Sequence, residues 1–210
     1  MKKIISVMLS LIMVFVMAST SFASEIETMN DIRIRDINEN IMKNVEAKFV
    51  SETGEVLPMD LEVETTIEPN YDRMYLSYDS PVVFKSKVKV STTKAKFNKN
   101  HSGGVEGAAK LEMTWVDVLG NKNKIIKLAG ECTVSAGTFK KGIVYWGGNY
   151  DGVSNAPYKK EVGDDFEMDV DYTSDARFGT VRSSYNAYVK SPRYDDGRTY
   201  QLTLHVNPLI

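Results

Sequence analysis

From Val45 onward, apolar and polar residues alternate with a period of two, and this pattern restricts the fold more than any other feature of the sequence. It is clearest in residues 61–68, 111–115, 166–173 and 202–206. Successive side chains of a β-strand point to opposite sides, so such alternation is typical of strands with one face buried and one face in water. The sequence therefore predicts strands over most of its length.

Turn-forming pairs such as Gly-Asn, Asp-Gly and Gly-Gly separate these runs. We predict about ten strands, near residues 44–51, 56–67, 72–78, 82–98, 105–119, 123–136, 138–147, 165–173, 178–190 and 198–206. Short strands joined by turns are typical of an antiparallel β-sandwich or a jelly roll. The predicted fold class is therefore all-β, with two small sandwiches divided near residue 100 as the alternative.

The first 23 residues have the organisation of a secretory signal peptide. Met1-Lys2-Lys3 is a basic head, residues 4–18 are uncharged and mostly apolar, and small residues follow up to Ala23. The apolar run is shorter than the roughly 20 residues that a membrane-spanning helix needs. We therefore predict cleavage after Ala23, export, and a secreted protein that is either free or associated with the cell surface.

The segment of residues 24–44 contains neither glycine nor proline. Four of the apolar residues in or next to it are spaced for one face of a helix: Ile34, Ile37, Ile41 and Val45. Residues 32–35 alternate like a strand, which is the competing interpretation. We predict one short N-terminal helix here, followed by a single β-sandwich domain over residues 45–210.

Charge and reactive side chains argue against several function classes. The net charge of −2 gives no basic footprint for nucleic acid. Cys132 is the only cysteine and lies in a strand-like stretch, so we predict a buried thiol rather than a nucleophile. His101 and His205, the only histidines, lack metal-ligand spacing, and no Gly-x-Ser-x-Gly motif occurs. The sequence predicts no cofactor.

Two charged stripes follow predicted strand faces. Lys85, Lys87 and Lys89 share one face, and acidic residues are dense between Glu161 and Asp171. Cross-strand pairing with acidic residues is the favoured interpretation of the lysines, and a cationic track for an anionic surface polymer is the functional alternative. The acidic stripe is interpreted as a solvated strand face, with a Ca²⁺ site near residues 164–171 as the alternative.

The aromatic residues give the best-placed candidate site. Trp115 shares its strand face with apolar residues and is predicted to lie in the core. Trp146 ends a run that is apolar on both faces, and a glycine-rich stretch with Tyr150 and Asp151 follows it. Aromatic rings beside a polar glycine-rich loop suit the stacking and hydrogen bonding of a sugar. A strand buried on both faces and an ordinary turn are the plain alternative.

The leading hypothesis is a secreted, non-catalytic β-sandwich that binds a cell-surface polymer or glycan through Trp146, Tyr150 and Asp151. The lysine stripe at residues 85–89 is the secondary ligand-binding candidate. One alternative is a small secreted hydrolase that cleaves cell-wall glycan with two carboxylates. Another is an exported protein–protein interaction module.

Overall fold

The computed structural model describes residues 31–51, 54, 56–57, 59–68, 82–92, 105–118, 122–150, 153–174, 180–191 and 197–206. The chain divides into two compact units, residues 1–37 and residues 38–210. The predicted signal peptide lies outside the described residues.

Helix α1 covers residues 31–44, so the predicted short N-terminal helix is confirmed over that range. The other residues of the predicted segment, 24–30, lie outside the described residues. Ile37 and Ile41 are buried, as their shared helical face predicts. The amide of Val45 donates to the carbonyl of Ile41 at 2.7 Å where the helix ends.

From Glu46 onward, every regular element in the described residues is a β-strand, which confirms the predicted all-β fold class. These strands are β1 (Glu46–Ser51), β2 (Val56–Leu57), β3 (Met59–Ile67), β4 (Val83–Thr92), β5 (Glu106–Val118), β6 (Lys122–Ala136), β7 (Thr138–Tyr150), β8 (Val153–Val162), β9 (Asp165–Thr173), β10 (Val181–Lys190) and β11 (Gly197–Val206). The strand predicted near residues 72–78 lies outside the described residues.

The strands form two antiparallel sheets. Sheet A has the order β2-β1-β11-β10-β7-β8, and sheet B has the order β3-β4-β5-β6-β9. Side chains from the two sheets meet: the rings of Phe166 and Tyr185 lie 5.1 Å apart, and the hydroxyl of Ser183 lies 3.7 Å from the sulfur of Met113. These contacts define a sandwich in which each sheet has an inner face towards its partner and an outer face towards water.

Both sheets combine strands from before and after residue 100. Strand β1 pairs with β11, with Glu46 opposite Thr203, and β4 pairs with β5. A division into two sandwiches near that residue, the alternative raised from the sequence, does not describe this topology.

Two strand predictions were wrong. The single strand expected over residues 56–67 is two strands, because β2 joins sheet A and β3 joins sheet B. Pro58, which has no amide hydrogen to donate, separates them in sequence. Strand β8 was missed entirely. It lies at an edge of sheet A, where Pro157 is tolerated because no further strand needs its amide.

The register of β10 fixes the two faces of sheet A. Its buried residues alternate with half-buried ones and mark the inner face: Val181, Ser183, Tyr185, Ala187 and Val189. Residues directly opposite each other in antiparallel strands share a face, so the orientation of β7, β8, β11 and β1 follows from their pairing.

The inner face of sheet B contains a hydrogen-bonded polar group within the core. Trp115 is 2% exposed, stacks on Phe84 at 4.8 Å, and donates its indole N–H to the Ser86 hydroxyl at 3.0 Å. That hydroxyl also lies 3.0 Å from the hydroxyl of Thr65. The predicted core position of Trp115 is confirmed, and its polar nitrogen is satisfied internally as buried polar groups require.

Candidate functional site

Trp146 belongs to a group of three aromatic side chains that we call the aromatic edge cluster: Trp146, Tyr158 and Tyr172. Trp146 lies opposite Ser183 on one side and Tyr158 on the other, so it lies on the inner face of sheet A. Its ring stacks on that of Tyr158, with centroids 5.7 Å apart and planes 13° apart. Tyr172, from β9 of sheet B, meets Tyr158 edge-on at 5.9 Å and 64°.

The cluster lies where an edge strand of each sheet comes close to the other, because β8 ends sheet A and β9 ends sheet B. Trp146 and Tyr172 are half-buried, whereas Tyr158 is 50% exposed. Among the aromatic side chains that the structure describes, only Tyr158 is exposed. One face of its ring is supported by Trp146, so the cluster presents a fixed aromatic surface at the rim of the sandwich.

Gly148 makes room for this arrangement. A Cβ atom built at Gly148 would lie 2.7 Å from the hydroxyl oxygen of Tyr172, closer than carbon and oxygen approach without displacement. The glycine therefore has a packing role on the inner face of β7.

The glycine-rich loop expected after Trp146 is not a loop up to Tyr150. Strand β7 continues to Tyr150, which pairs with Val153 at the start of β8. The register of the β7–β8 hairpin shifts between Trp146 and Gly148, so Gly147 lies at an irregularity in the strand pairing. Asp151 lies outside the described residues.

Among the described residues, the structure therefore groups Trp146 with Tyr158 and Tyr172. Sequence reasoning missed both tyrosines. Tyr172 occupies one of the apolar positions of the alternating run of residues 166–173, and nothing in that pattern distinguishes it from the others. Tyr158 lies in a strand whose sequence, VSNAPYKKEV, shows no alternation.

The lysine stripe lies on the outer face of sheet B, on the other sheet from Trp146. Each of its lysines has a carboxylate partner. Lys85 lies 3.2 Å from Glu112, Lys87 forms an ion pair with Glu64, and Lys89 lies 3.7 Å from Glu62. The favoured interpretation, cross-strand pairing, is confirmed in kind, and the partners come from β3 and β5 rather than from the acidic strand β9.

The most buried carboxylate of this face is Glu112, whose side chain is 15% exposed. Lys110 lies 3.3 Å from Glu112 and 3.4 Å from Glu131, so one ammonium joins two carboxylates. Burial disfavours the charged form of Glu112, but the hydrogen bond from Lys85 and the charge of Lys110 outweigh it and lower its pKa. A glycosidase acid needs the opposite shift, so the lowered pKa of Glu112 does not suit that role.

The acidic stripe on β9 is also partly neutralised. Lys127 donates to Glu167 at 2.8 Å, and Lys124 lies 2.9 Å from Asp171. The hydrogen bond from Lys127 lowers the pKa of Glu167. Within the described residues, no three His, Cys, Asp or Glu side chains converge as metal ligands would.

Cys132 is buried, as the sequence predicts. Burial, with the negative charges of Asp164 and Glu131, raises the pKa of its thiol to about 12. The thiolate, which is the reactive form, is therefore scarce at neutral pH.

Comparison of this chain with protein-family models, with curated proteins and with solved structures found no match. In the part of the chain that the structure describes, no helix is both long enough and apolar enough to cross a membrane.

Proposed function

We propose that this protein is a secreted, non-catalytic β-sandwich that binds a glycan of a cell surface at the aromatic edge cluster. The observation that carries the proposal is the exposed ring of Tyr158, which Trp146 supports from behind. Sugar rings present apolar C–H groups on their faces, and a fixed aromatic ring is a suitable surface for them.

The neighbours of Tyr158 supply the polar part of such a site. Lys160 follows two residues later on the same side of β8, about 6.7 Å away along the strand, and it is exposed. An ammonium group donates hydrogen bonds to sugar hydroxyls. Stacking with one or two polar contacts is the usual composition of a small-ligand site.

The test is co-sedimentation of the purified protein with insoluble bacterial cell walls, comparing wild type, Tyr158→Ala and Tyr158→Phe. Tyr158 is a better target than Trp146, because Trp146 is half-buried whereas Tyr158 is 50% exposed, so removal of the Tyr158 ring disturbs the packing less. Removal of a central aromatic contact costs about 2 kcal/mol, which corresponds to a loss of affinity of roughly 25-fold, so a tenfold loss is the smallest effect expected.

We expect Tyr158→Ala to lose binding at least about tenfold while Tyr158→Phe retains it. This binding should persist in about 1 M salt, because stacking is not screened as charge pairs are. Urea denaturation of each variant is the control for folding. Wild-type protein that does not bind, or a folded Tyr158→Ala that binds like wild type, would contradict the proposal.

The two other functions considered from the sequence gain no support from a particular contact. The carboxylates of Glu112 and Glu131 are tied to Lys110 on an outer sheet face. The exposed large apolar residues among those described, besides Tyr158, are Ile32, Met42 and Val56. A hydrolase and a protein–protein module therefore stay predictions without a site.

A further inference from the structure

The outer face of sheet A carries a group of basic side chains that we call the basic face: Lys48, Lys140, Lys141, Lys159, Arg182 and Lys190. The described carboxylates on the same face are Glu46 and Glu161. Glu46 lies 3.9 Å from Arg182. Basic groups therefore outnumber acidic ones among the described residues of this face.

The two outer faces of the sandwich differ in how their lysines are held. On sheet B the stripe of residues 85–89 is paired with glutamates, so its charge is largely cancelled. On sheet A, Lys140 and Lys141 take part in none of the ion pairs that the described residues form. No neighbouring carboxylate offsets the attraction of such a lysine for an anionic ligand.

Lys141 is positioned without being neutralised. Its ammonium lies 4.9 Å from the centre of the Tyr188 ring, directly opposite in the neighbouring strand. The face of an aromatic ring attracts a cation but carries no net charge. The contact therefore orders the lysine while leaving its positive charge uncompensated.

Beside this pair lies a cavity of about 470 Å³. Its lining includes Val50, Lys140, Tyr188, Lys190 and Thr199, which combine an apolar and aromatic wall with ammonium and hydroxyl donors. Sites for small ligands commonly measure about 300–1,000 Å³ and have this mixture of apolar wall and a few polar groups. The β-bulge in β7, between the partners of Tyr188 and Val189, brings Lys140 to the rim.

We infer that the basic face is a second binding surface, which takes an anionic sugar residue of a polysaccharide. The sugar ring lies against Tyr188 and Val50 in the cavity, and its acidic group is held by Lys140, which lines the cavity, and by Lys141, which lies beside it over the Tyr188 ring. Charge complementarity supports this choice, because the cavity lining contains lysines and no acidic residue among those described. This surface is separate from the aromatic edge cluster, because Trp146 and Tyr158 lie on the inner face of sheet A and Tyr172 belongs to sheet B.

The experiment measures binding of polygalacturonate, a polymer of carboxylated sugars, by calorimetry with the full-length protein. Dextran serves as the neutral sugar polymer, and polyglutamate serves as a polyanion without sugars. The test variant is Lys140→Gln with Lys141→Gln. The matched control is Lys87→Gln with Lys89→Gln, which removes the same charge from the outer face of sheet B.

Wild type should bind polygalacturonate more tightly than polyglutamate and should not bind dextran. Its affinity for polygalacturonate should fall as the salt concentration rises. The Lys140/Lys141 variant should lose at least about tenfold in affinity, since each charged hydrogen bond contributes about 1.5 kcal/mol or more. The Lys87/Lys89 variant should stay within about twofold of wild type, because exposed ion pairs contribute little.

Three results would overturn the inference. They are absence of polygalacturonate binding, equal losses in the two lysine variants, and equal affinity for polyglutamate. Tyr158→Ala should leave this salt-sensitive binding unchanged, so failure of the glycan site at the aromatic edge cluster and failure of the basic face can be told apart.

Discussion

Substitution of Gly148 by alanine gives a direct test of how the aromatic edge cluster is packed. The added Cβ would lie 2.7 Å from the hydroxyl oxygen of Tyr172 but 3.8 Å from its ring carbon Cζ. The first contact requires displacement, whereas the second is an ordinary van der Waals distance. The clash therefore depends on one oxygen atom, which Tyr172→Phe removes.

The magnitude follows from two opposing effects. Overpacking a filled site costs about 1–3 kcal/mol. Replacing glycine by alanine reduces the conformational freedom of the unfolded chain and stabilises by about 0.4–1 kcal/mol where the backbone permits it. We expect Gly148→Ala to lower the free energy of unfolding by about 0.5–2 kcal/mol in wild type. In the Tyr172→Phe background it should instead be neutral or stabilising.

The assay is a double-mutant cycle measured by urea denaturation of the four proteins. Tyr172→Phe also removes any hydrogen bond that the Tyr172 hydroxyl makes elsewhere. That loss cancels, because the coupling free energy is the difference between the effects of Gly148→Ala in the two backgrounds. Gly163→Ala is the matched control, since its nearest contact to an added Cβ is 3.4 Å.

A coupling free energy of about 1–3 kcal/mol is the expected outcome. An equal cost of Gly148→Ala in both backgrounds would show that Tyr172 does not fill the space beside Gly148. The packing described for the cluster would then be wrong.

Three further predictions concern the core and the charged faces. Ser86→Ala should lower the free energy of unfolding by about 1–3 kcal/mol, because the indole N–H of Trp115 loses its buried acceptor; an effect below about 0.5 kcal/mol in urea denaturation would contradict the bond. Cys132 should react with a thiol reagent only on unfolding, since it is buried and its pKa is raised to about 12; rapid labelling of the native protein at neutral pH would refute this. The lowered pKa of Glu112 means that its ion pairs stabilise the fold above the ordinary carboxyl pKa and that this contribution is lost as pH falls through the folded-state pKa. Glu112→Gln should therefore flatten the acid side of a stability-versus-pH curve, and an unchanged curve would count against the pairing.

Period-two alternation predicted the strands that have one buried face. Strand β9 has the predicted bounds of residues 165–173. The bounds of β5 and β6 differ from the prediction by no more than one residue at either end. Strand β8 escaped because an edge strand has fewer buried positions and tolerates proline, so its sequence contains no alternation to detect. Local pattern also could not show that β2 and β3 join different sheets, since pairing is a tertiary property.

The candidate site was predictable only in part. The density of aromatic residues singled out Trp146, but its partners Tyr158 and Tyr172 come from strand register and from the packing of two sheets. The opposite charges of the stripes on sheet B indicated pairing, yet the partners Glu62 and Glu64 depend on which strand lies beside β4. The contact between Lys141 and the Tyr188 ring could not be predicted from the sequence, because the two residues are distant in sequence and meet only through strand pairing.

The pairing of β1 with β11 has a consequence for the order in which the chain can fold. Sheet A cannot be completed until β11 has been synthesised, because β11 lies between β1 and β10 in the sheet. Contacts so distant in sequence make folding slow, on the order of milliseconds to seconds for all-β domains. The nascent chain therefore lacks its complete sheet until β11 has been synthesised, and until then the edges of β1 and β10 that face β11 stay unpaired.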